Sequence, residues 1–169
     1  VGSIELHVDS VDLKTLLSDG VRDVRGLADE KNIDVQLILP AKLEPVLADR
    51  DKLAVVINNL LGNAIKYTPA NGNVVVGCQV AADAVVFTFK DNGIGIDPAE
   101  HGKVFEKFQR GSNPEVQNEP GTGIGLYTAR EIVRRHGGEI ELISEKDKGS
   151  TFMVRLPHRE SRAAALTSV

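Results

Sequence analysis

Three segments of this chain contain the residues that could bind a ligand together. The first is a polar stretch over residues 59–67, and two glycine-rich motifs follow it at 91–95 and 121–126. The stretch combines two amides with a lysine, the first motif begins with an aspartate, and both motifs leave backbone exposed. In this order the segments predict a nucleotide pocket with a divalent cation.

The polar stretch lies on a strongly periodic helical segment. Asn59, Asn63 and Lys66 fall within about 60° of each other on a helix and border its apolar stripe, whereas Asn58 points away. Amide oxygens suit Mg²⁺, and a lysine suits phosphate oxygens. A solvated helix edge is the ordinary alternative. The apolar stripe consists of Leu53, Val56, Ile57, Leu60, Leu61 and Ala64.

Asp91 begins the first glycine motif, directly after a strand-like run. An ionised carboxylate only accepts hydrogen bonds, so it matches the exocyclic amine of adenine. Guanine has an oxygen at that ring position, and the motif therefore favours ATP over GTP. Gly93 and Gly95 allow the backbone to approach a ligand closely. A turn with an N-capping aspartate is the alternative.

The second glycine motif opens a helix, where bare backbone N–H groups bind anions. Its spacing is neither that of a dinucleotide-binding fingerprint nor that of a P-loop. Between the two motifs, Phe105 and Phe108 could anchor a lid or simply pack in the core, and Arg110 could reach a terminal phosphate. Thr151, in a later hairpin, is a weaker candidate for a nucleotide contact.

Composition excludes several classes of protein. The chain has 169 residues, which suits one domain. A net charge of −4 and the absence of Trp weigh against nucleic-acid binding. The single Cys78 excludes an internal disulfide. No signal peptide and no apolar run long enough to span a membrane are present, so we expect this fragment to make no membrane contact.

The predicted elements give an α+β fold, a two-layer sandwich with a mixed, mostly antiparallel sheet and three main helices on one face. Residues 1–9 are predicted to be irregular, 97–120 to be a loop, and 109–120 to be disordered without ligand. Helices are predicted over 11–31, from Leu53 to about residue 67, and over 126–136. Strands are predicted over 33–37, 46–48, 73–80, 84–90, 139–144 and 150–156.

Taken together, these motifs resemble the Bergerat-fold (GHKL) ATP-binding superfamily, and within it the catalytic and ATP-binding domain of sensor histidine kinases. The resemblance runs from about Val11 to Leu156. Residues 59–67 look like the family's N box, 91–96 and 121–126 like its two glycine boxes, and 104–108 like its F box. The stretches 135–138 and 149–152 also follow the kinase pattern.

The resemblance implies roles for individual residues and Mg²⁺ and ATP as cofactors. Asn63, helped by Asn59, would hold Mg²⁺; Lys66 and Arg110 would touch phosphates; Asp91 would bind adenine. Asn59, Lys66 and Arg110 are the residues expected to act in catalysis. The whole set expected to contact ATP is Asn59, Asn63, Lys66, Tyr67, Asp91, Gly93, Gly95, Ile96, Phe105, Phe108, Arg110, Gly121, Thr122, Gly123, Ile124, Gly125, Leu126 and Thr151.

Asn59 separates the kinases from their relatives. In the ATP-hydrolysing members, such as DNA gyrase, MutL and the ninety-kilodalton heat-shock chaperone, a glutamate at this position activates water, and the anti-sigma serine kinases resemble them. An amide cannot serve as a general base. The resemblance therefore implies transfer of the γ-phosphate to a histidine, whose neutral imidazole is already nucleophilic, through positioning and charge neutralisation.

The acceptor histidine of such kinases lies in a His-Glu/Asp-x-x-x-Pro setting that His7, His101, His136 and His158 all lack. We expect His136 to be structural and the acceptor helices to precede Val1. This divides the chain into a lead-in from a dimerisation and phosphoacceptor domain (1–10), the ATP-binding kinase domain (11–157) and a tail (158–169).

The expected partners are the dimerisation and phosphoacceptor domain of the same protein and a response regulator, with homodimers forming through the missing helices. The domain is expected in the cytoplasm, and an inner-membrane anchor of the parent protein is left open. Two alternatives remain: a Bergerat-fold ATPase or serine kinase that acts on a protein partner, and a degenerate module without enzymatic activity.

Overall fold

The computed structural model describes residues 4–106 and 125–158. Phe108, Arg110, Gly121, Thr122, Gly123 and Ile124, with the predicted lid at 109–120, lie outside them. The helices are α1 (Leu13–Glu30), α2 (Arg50–Lys66) and α3 (Gly125–Arg135), and a short 3₁₀ helix spans Pro98–Glu100. The strands are β1 (Asp9–Val11), β2 (Asp34–Ile38), β3 (Val46–Ala48), β4 (Asn73–Val80), β5 (Ala84–Asp91), β6 (Glu139–Glu145) and β7 (Gly149–Pro157).

Within residues 4–106 and 125–158, the main sheet has five strands in the order β2-β4-β5-β7-β6, and only the β2–β4 pair is parallel. This confirms the mixed, mostly antiparallel sheet. A separate antiparallel pair joins β1 to β3. The sequence did not predict β1, because a strand of three residues shows no clear alternation. The irregular lead-in expected over 1–9 therefore ends in a strand.

The hydrophobic core lies between one face of the sheet and the three helices. Strand residues alternate between this face and the half-exposed outer face, and Phe87, Phe89 and Val154 are fully buried. Helix α2 lies between α1 and α3 and contacts β5, whereas α3 packs on β6 and β7. The apolar stripe predicted for α2 is buried throughout, and Asn58 is exposed as expected.

The sequence predicts an apolar stripe along α1 that consists of Leu13, Leu16, Leu17, Val24 and Leu27, and the prediction is wrong for Leu27. Leu27 is 56% exposed, and the buried residues of the last two turns are Val21, Val24 and Ala28. Consecutive helix positions are rotated by about 100°, so burial of Ala28 turns Leu27 toward solvent.

His136 joins the end of α3 to the start of α2. Its Nε2 accepts a hydrogen bond from the backbone N–H of Asp49 at 3.0 Å, and its Nδ1 lies 2.8 Å from the carbonyl oxygen of Ile132. The structural role predicted for His136 is confirmed. Gly137, at φ +80°, and Gly138 then cap α3 through bonds to the carbonyls of its last turn.

We expect Leu60→Ala to lower the free energy of unfolding by about 2–5 kcal/mol, because Leu60 is fully buried and the substitution leaves a cavity. Val55, on the same helix but 41% exposed, provides the control, and Val55→Ala should change stability by less than about 1 kcal/mol. Urea unfolding followed by circular dichroism measures both. Equal losses would mean that α2 does not pack as described.

Candidate functional site

Asp91 ends β5 and is buried, with 7% of its surface exposed. It lies opposite Ser150, the second residue of β7. Its Oδ1 accepts hydrogen bonds from the backbone N–H groups of Gly93 at 2.9 Å and Ser150 at 3.3 Å. In the described part of the chain, Oδ2 accepts none. One carboxylate oxygen therefore holds the turn together, and the other is available to a ligand.

Burial raises the pKa of Asp91 above its ordinary value of 3.8, and the hydrogen bonds from Gly93 and Ser150 only partly oppose this effect. A buried carboxylate with an unused acceptor oxygen is costly to maintain without a ligand. Asp91 is therefore a candidate binding residue, because a hydrogen bond donated by a ligand would compensate the cost of burying its charge.

The first glycine motif is enclosed by two other segments. The N–H of Ile94 donates to the carbonyl oxygen of Tyr67, just after α2, at 3.2 Å, and the N–H of Asp147 donates to that of Ile94 at 2.7 Å. Gly95 has φ +69°, and a Cβ at this position would collide with the carbonyl oxygen of Glu145. The end of α2 and the β6–β7 turn thus fix the path of this motif, which requires glycine.

Ser144 and Ser150 form a small network beneath this motif that the sequence analysis missed. The N–H of Ile96 donates to Ser144 Oγ at 2.7 Å, and this hydroxyl donates to the carbonyl oxygen of Gly149 at 2.9 Å. The hydroxyls of Ser144 and Ser150 lie 2.8 Å apart. The signal that could have revealed this network is that serine occupies positions on the inward face of β6 and β7, where the other residues are mostly apolar.

The structure also corrects the choice of Thr151. Residues alternate across a strand, and Thr151 pairs with the exposed Lys90 rather than with Asp91. Its side chain therefore lies on the outer face of the sheet. Ser150 is buried and faces the same side as Asp91, so we replace Thr151 by Ser150 in the candidate site.

The polar edge of α2 faces the start of α3. The Asn59 Nδ2 donates to the carbonyl oxygen of Gly125 at 3.2 Å, which leaves its Oδ1 as an acceptor. The half-buried Asn63 amide makes no hydrogen bond to any described residue. The Lys66 Nζ lies 5.8 Å from the ring centroid of Tyr67, at the end of the helix. The amide oxygens of Asn59 and Asn63 therefore fit a hard cation.

Phe105 packs in the core, as the ordinary alternative proposed. Its ring meets the edge of Phe152 with centroids 6.1 Å apart, and the guanidinium of Arg130 lies 5.1 Å from its centroid. Ile96 and Leu126 are partly buried against the same core. These residues border the site and support its walls.

Residues 48–160 match the family of histidine kinase-, DNA gyrase B- and HSP90-like ATPases. The chain belongs to this family. The expected likeness to catalytic and ATP-binding domains of sensor histidine kinases is confirmed by its relatives. The sensor histidine kinase MtrB of Mycobacterium tuberculosis is 35% identical over 92% of this chain and 27% of that protein. WalK of Bacillus subtilis is 35% identical over 79% of this chain and 22% of that protein.

Solved structures agree with this family assignment. Full-length ShkA in complex with AMPPNP superposes with a TM-score of 0.82 at 28% identity, over 93% of this chain and 32% of that one. The nucleotide-free catalytic domain of the histidine kinase ThkA gives a TM-score of 0.79 at 25% identity, over 90% and 99% of the two chains. The curated relatives are much longer proteins, and the chain spans about a quarter of their length. Among the described residues, no helix has the length and apolarity needed to cross a membrane.

We expect Asp91→Asn to stabilise the protein increasingly as pH rises from about 4 to 7. The folded-state pKa of Asp91 is raised, so its contribution is fully present below its unfolded pKa and is lost as pH rises through its folded pKa. Asparagine does not ionise, so it avoids this loss. Urea unfolding at several pH values measures the difference from the parent protein.

Asp49→Asn is the control with the opposite sign. Burial raises the pKa of Asp49, but hydrogen bonds from the N–H groups of His7 and Lys52 outweigh it, and the net shift is downward. Asp49 therefore contributes stability above its unfolded pKa, and this contribution is lost as pH falls. The same pH dependence in both variants would contradict our description of Asp91.

Proposed function

We propose that this chain is the ATP-binding catalytic domain of a sensor histidine kinase and orients Mg·ATP for transfer of the γ-phosphate to a histidine on another domain. One combination of residues carries the proposal. The Asp91 carboxylate is fixed by two backbone hydrogen bonds, and Asn59 provides an amide at the position where the resemblance places a glutamate in the ATP-hydrolysing relatives. A carboxylate suited to the adenine amine and an amide that cannot act as a base together support phosphotransfer rather than hydrolysis.

Adenine would bind at Asp91. Since Oδ1 is occupied by the N–H groups of Gly93 and Ser150, the exocyclic amine would donate to Oδ2. This hydrogen bond requires the ionised carboxylate, because a protonated Oδ2 would place its own O–H donor against the N–H donor of the adenine amine. Gly93, Gly95 and Ile96 would then lie along one side of the base, with Tyr67 covering the nucleotide.

The phosphates would lie between α2 and the start of α3. Asn63 and Asn59 would hold Mg²⁺, which supplies charge neutralisation on the phosphate oxygens when bound. Lys66 would add a positive charge at the end of α2. Arg110 and the backbone of Gly121, Thr122, Gly123, Ile124 and Gly125, with Leu126, are proposed contacts by resemblance alone, as is Phe108.

The acceptor histidine would come from outside the described residues. The ring of His136 is buried with both nitrogens engaged, and the Nε2 atoms of His101 and His158 lie near the carbonyl oxygens of Ile96 and Ala81. None of these histidines, nor His7, has the sequence setting of a phosphoacceptor. Asn59 has no useful basicity and activates neither water nor a serine hydroxyl. A neutral imidazole needs no such base, which favours histidine as the acceptor.

For the whole protein, we propose a dimer formed through phosphoacceptor helices and phosphotransfer from their histidine to a response-regulator aspartate. The kinase domain would act in the cytoplasm. The division at residues 10 and 157 between lead-in, kinase domain and tail remains part of this proposal. The family assignment and the relatives that are named sensor histidine kinases support it.

We expect Asp91→Asn to weaken ATP binding by roughly 10- to 150-fold, as befits the loss of a charged hydrogen bond of about 1.5–3 kcal/mol. The asparagine Oδ1 would retain the two backbone N–H donors, so Nδ2 would replace Oδ2 and repel the adenine amine. It would instead suit the guanine oxygen, and the preference for ATP over GTP should shrink or reverse. Calorimetric titrations with both nucleotides, with and without Mg²⁺, measure this. An unchanged ATP/GTP ratio would contradict adenine recognition by Asp91.

The rival ATPase function predicts a different result. Steady hydrolysis of ATP by the chain, abolished by Asn59→Ala, would support an ATPase and damage the kinase proposal. Absence of nucleotide binding by the parent chain would instead support a degenerate interaction module.

A further inference from the structure

Arg130 lies on α3 and belongs to none of the motifs described above. Its guanidinium carbon is 5.1 Å from the ring centroid of Phe105, within the range of a cation–π interaction. Its Nε is buried and makes no hydrogen bond within the described residues. The same Nε lies 3.4 Å from Glu139 Oε1, an ion pair without hydrogen-bond geometry. The guanidinium of Arg130 therefore lies between the Phe105 ring and the Glu139 carboxylate.

Phe105 links Arg130 to the strand that carries Ser150. Its other contact is with Phe152, at 6.1 Å between centroids and an interplanar angle of 83°. Phe152 lies two residues after Ser150 on β7 and faces the same side of the sheet. Arg130, Phe105 and Phe152 thus form one stack, which joins α3 to the segment after the first glycine motif and to β7.

We propose that Arg130 is a positioning residue for nucleotide binding, which holds the start of α3 at the correct distance from the first glycine motif. The inference rests on the proposed function. Arg130 is not among the residues proposed to contact the nucleotide. It acts together with the hydrogen bond from the Asn59 side chain to the carbonyl oxygen of Gly125, the first residue of α3.

A nucleotide that must touch both Asp91 and the start of α3 binds only the arrangement in which these are correctly spaced. Its apparent affinity falls in proportion to the fraction of molecules in that arrangement. Removal of the stack should therefore weaken binding while the fold, which depends on the larger core, remains.

Arg134 provides a matched control. It lies one turn further along α3, and its Nε donates to Glu139 Oε2 at 3.2 Å, so it shares the carboxylate with Arg130. Its side chain is 44% exposed, against 31% for Arg130. An exposed ion pair of this kind contributes little. Arg134→Met should change ATP affinity by less than about twofold.

Arg130→Met should weaken ATP binding by about 3- to 30-fold, the range expected for a partly buried cation–π contact. Arg130→Lys, which keeps a cation near the ring, should restore most of the affinity. Calorimetry with Mg·ATP measures the affinities, and thermal unfolding measures stability in the same samples. Phe105→Leu removes the π face, and in that background Arg130→Met should have little further effect.

The results separate the two proposals. If the parent chain binds no ATP, both are overturned. If the parent binds ATP but Arg130→Met and Arg134→Met behave alike, or Arg130→Met loses stability without losing affinity, only the role of Arg130 is overturned. If Arg130→Met does not fold, the effect of Arg130→Lys on ATP affinity is measured in the parent chain and in the Phe105→Leu variant, and the two effects are compared. A Lys effect of equal size in both would contradict the proposal.

Discussion

The hydrogen bonds to one oxygen of Asp91 are the constraint on which the rest of the site depends. They join the end of β5 to the turn at Gly93 and to β7 at Ser150. Since Oδ1 is saturated in this way, the direction of Oδ2 is fixed before any ligand arrives. Binding then requires little reorganisation of this group, which is the general advantage of a preorganised polar site.

The surrounding elements maintain that arrangement from three sides. The end of α2 holds Ile94 through the carbonyl of Tyr67, and the β6–β7 turn holds the same residue through Asp147. Ser144 supports Ile96 from below. On the far side, Asn59 fixes the start of α3. The site is thus formed where the ends of two helices meet one end of the sheet, and the core beneath it supplies the rigidity.

Asn59 shows how a single side chain relates structure to chemistry. Its amide nitrogen donates to the Gly125 carbonyl, which a glutamate side chain could not do when ionised. The resemblance places a water-activating glutamate at this position in the hydrolysing relatives. In this chain the position is occupied by Asn59, which joins α2 to α3 by a hydrogen bond.

The periodic elements were predictable from sequence because they depend on local rules. Strand β4 was predicted at its observed bounds, and α2, α3 and the hairpin β6–β7 were predicted to within a few residues. Leu27, Ser144 and Ser150 were not, because their environments depend on which face of an element packs against distant segments. Thr151 was named as a candidate, and Ser150 was not, for the same reason: only the pairing with β5 reveals which of the two neighbours faces Asp91. The Arg130–Phe105 contact joins residues far apart in sequence and has no local signal at all.

The central claim is that Asp91 and the amides of α2 hold the two ends of one nucleotide. A crystal structure of the chain with an ATP analogue and Mn²⁺ in place of Mg²⁺ tests it most directly, because anomalous scattering locates the metal. The account predicts the adenine amine within hydrogen-bond distance of Asp91 Oδ2 and the metal at the Asn63 amide oxygen. Adenine bound away from Asp91, or a metal held without Asn63, would contradict it.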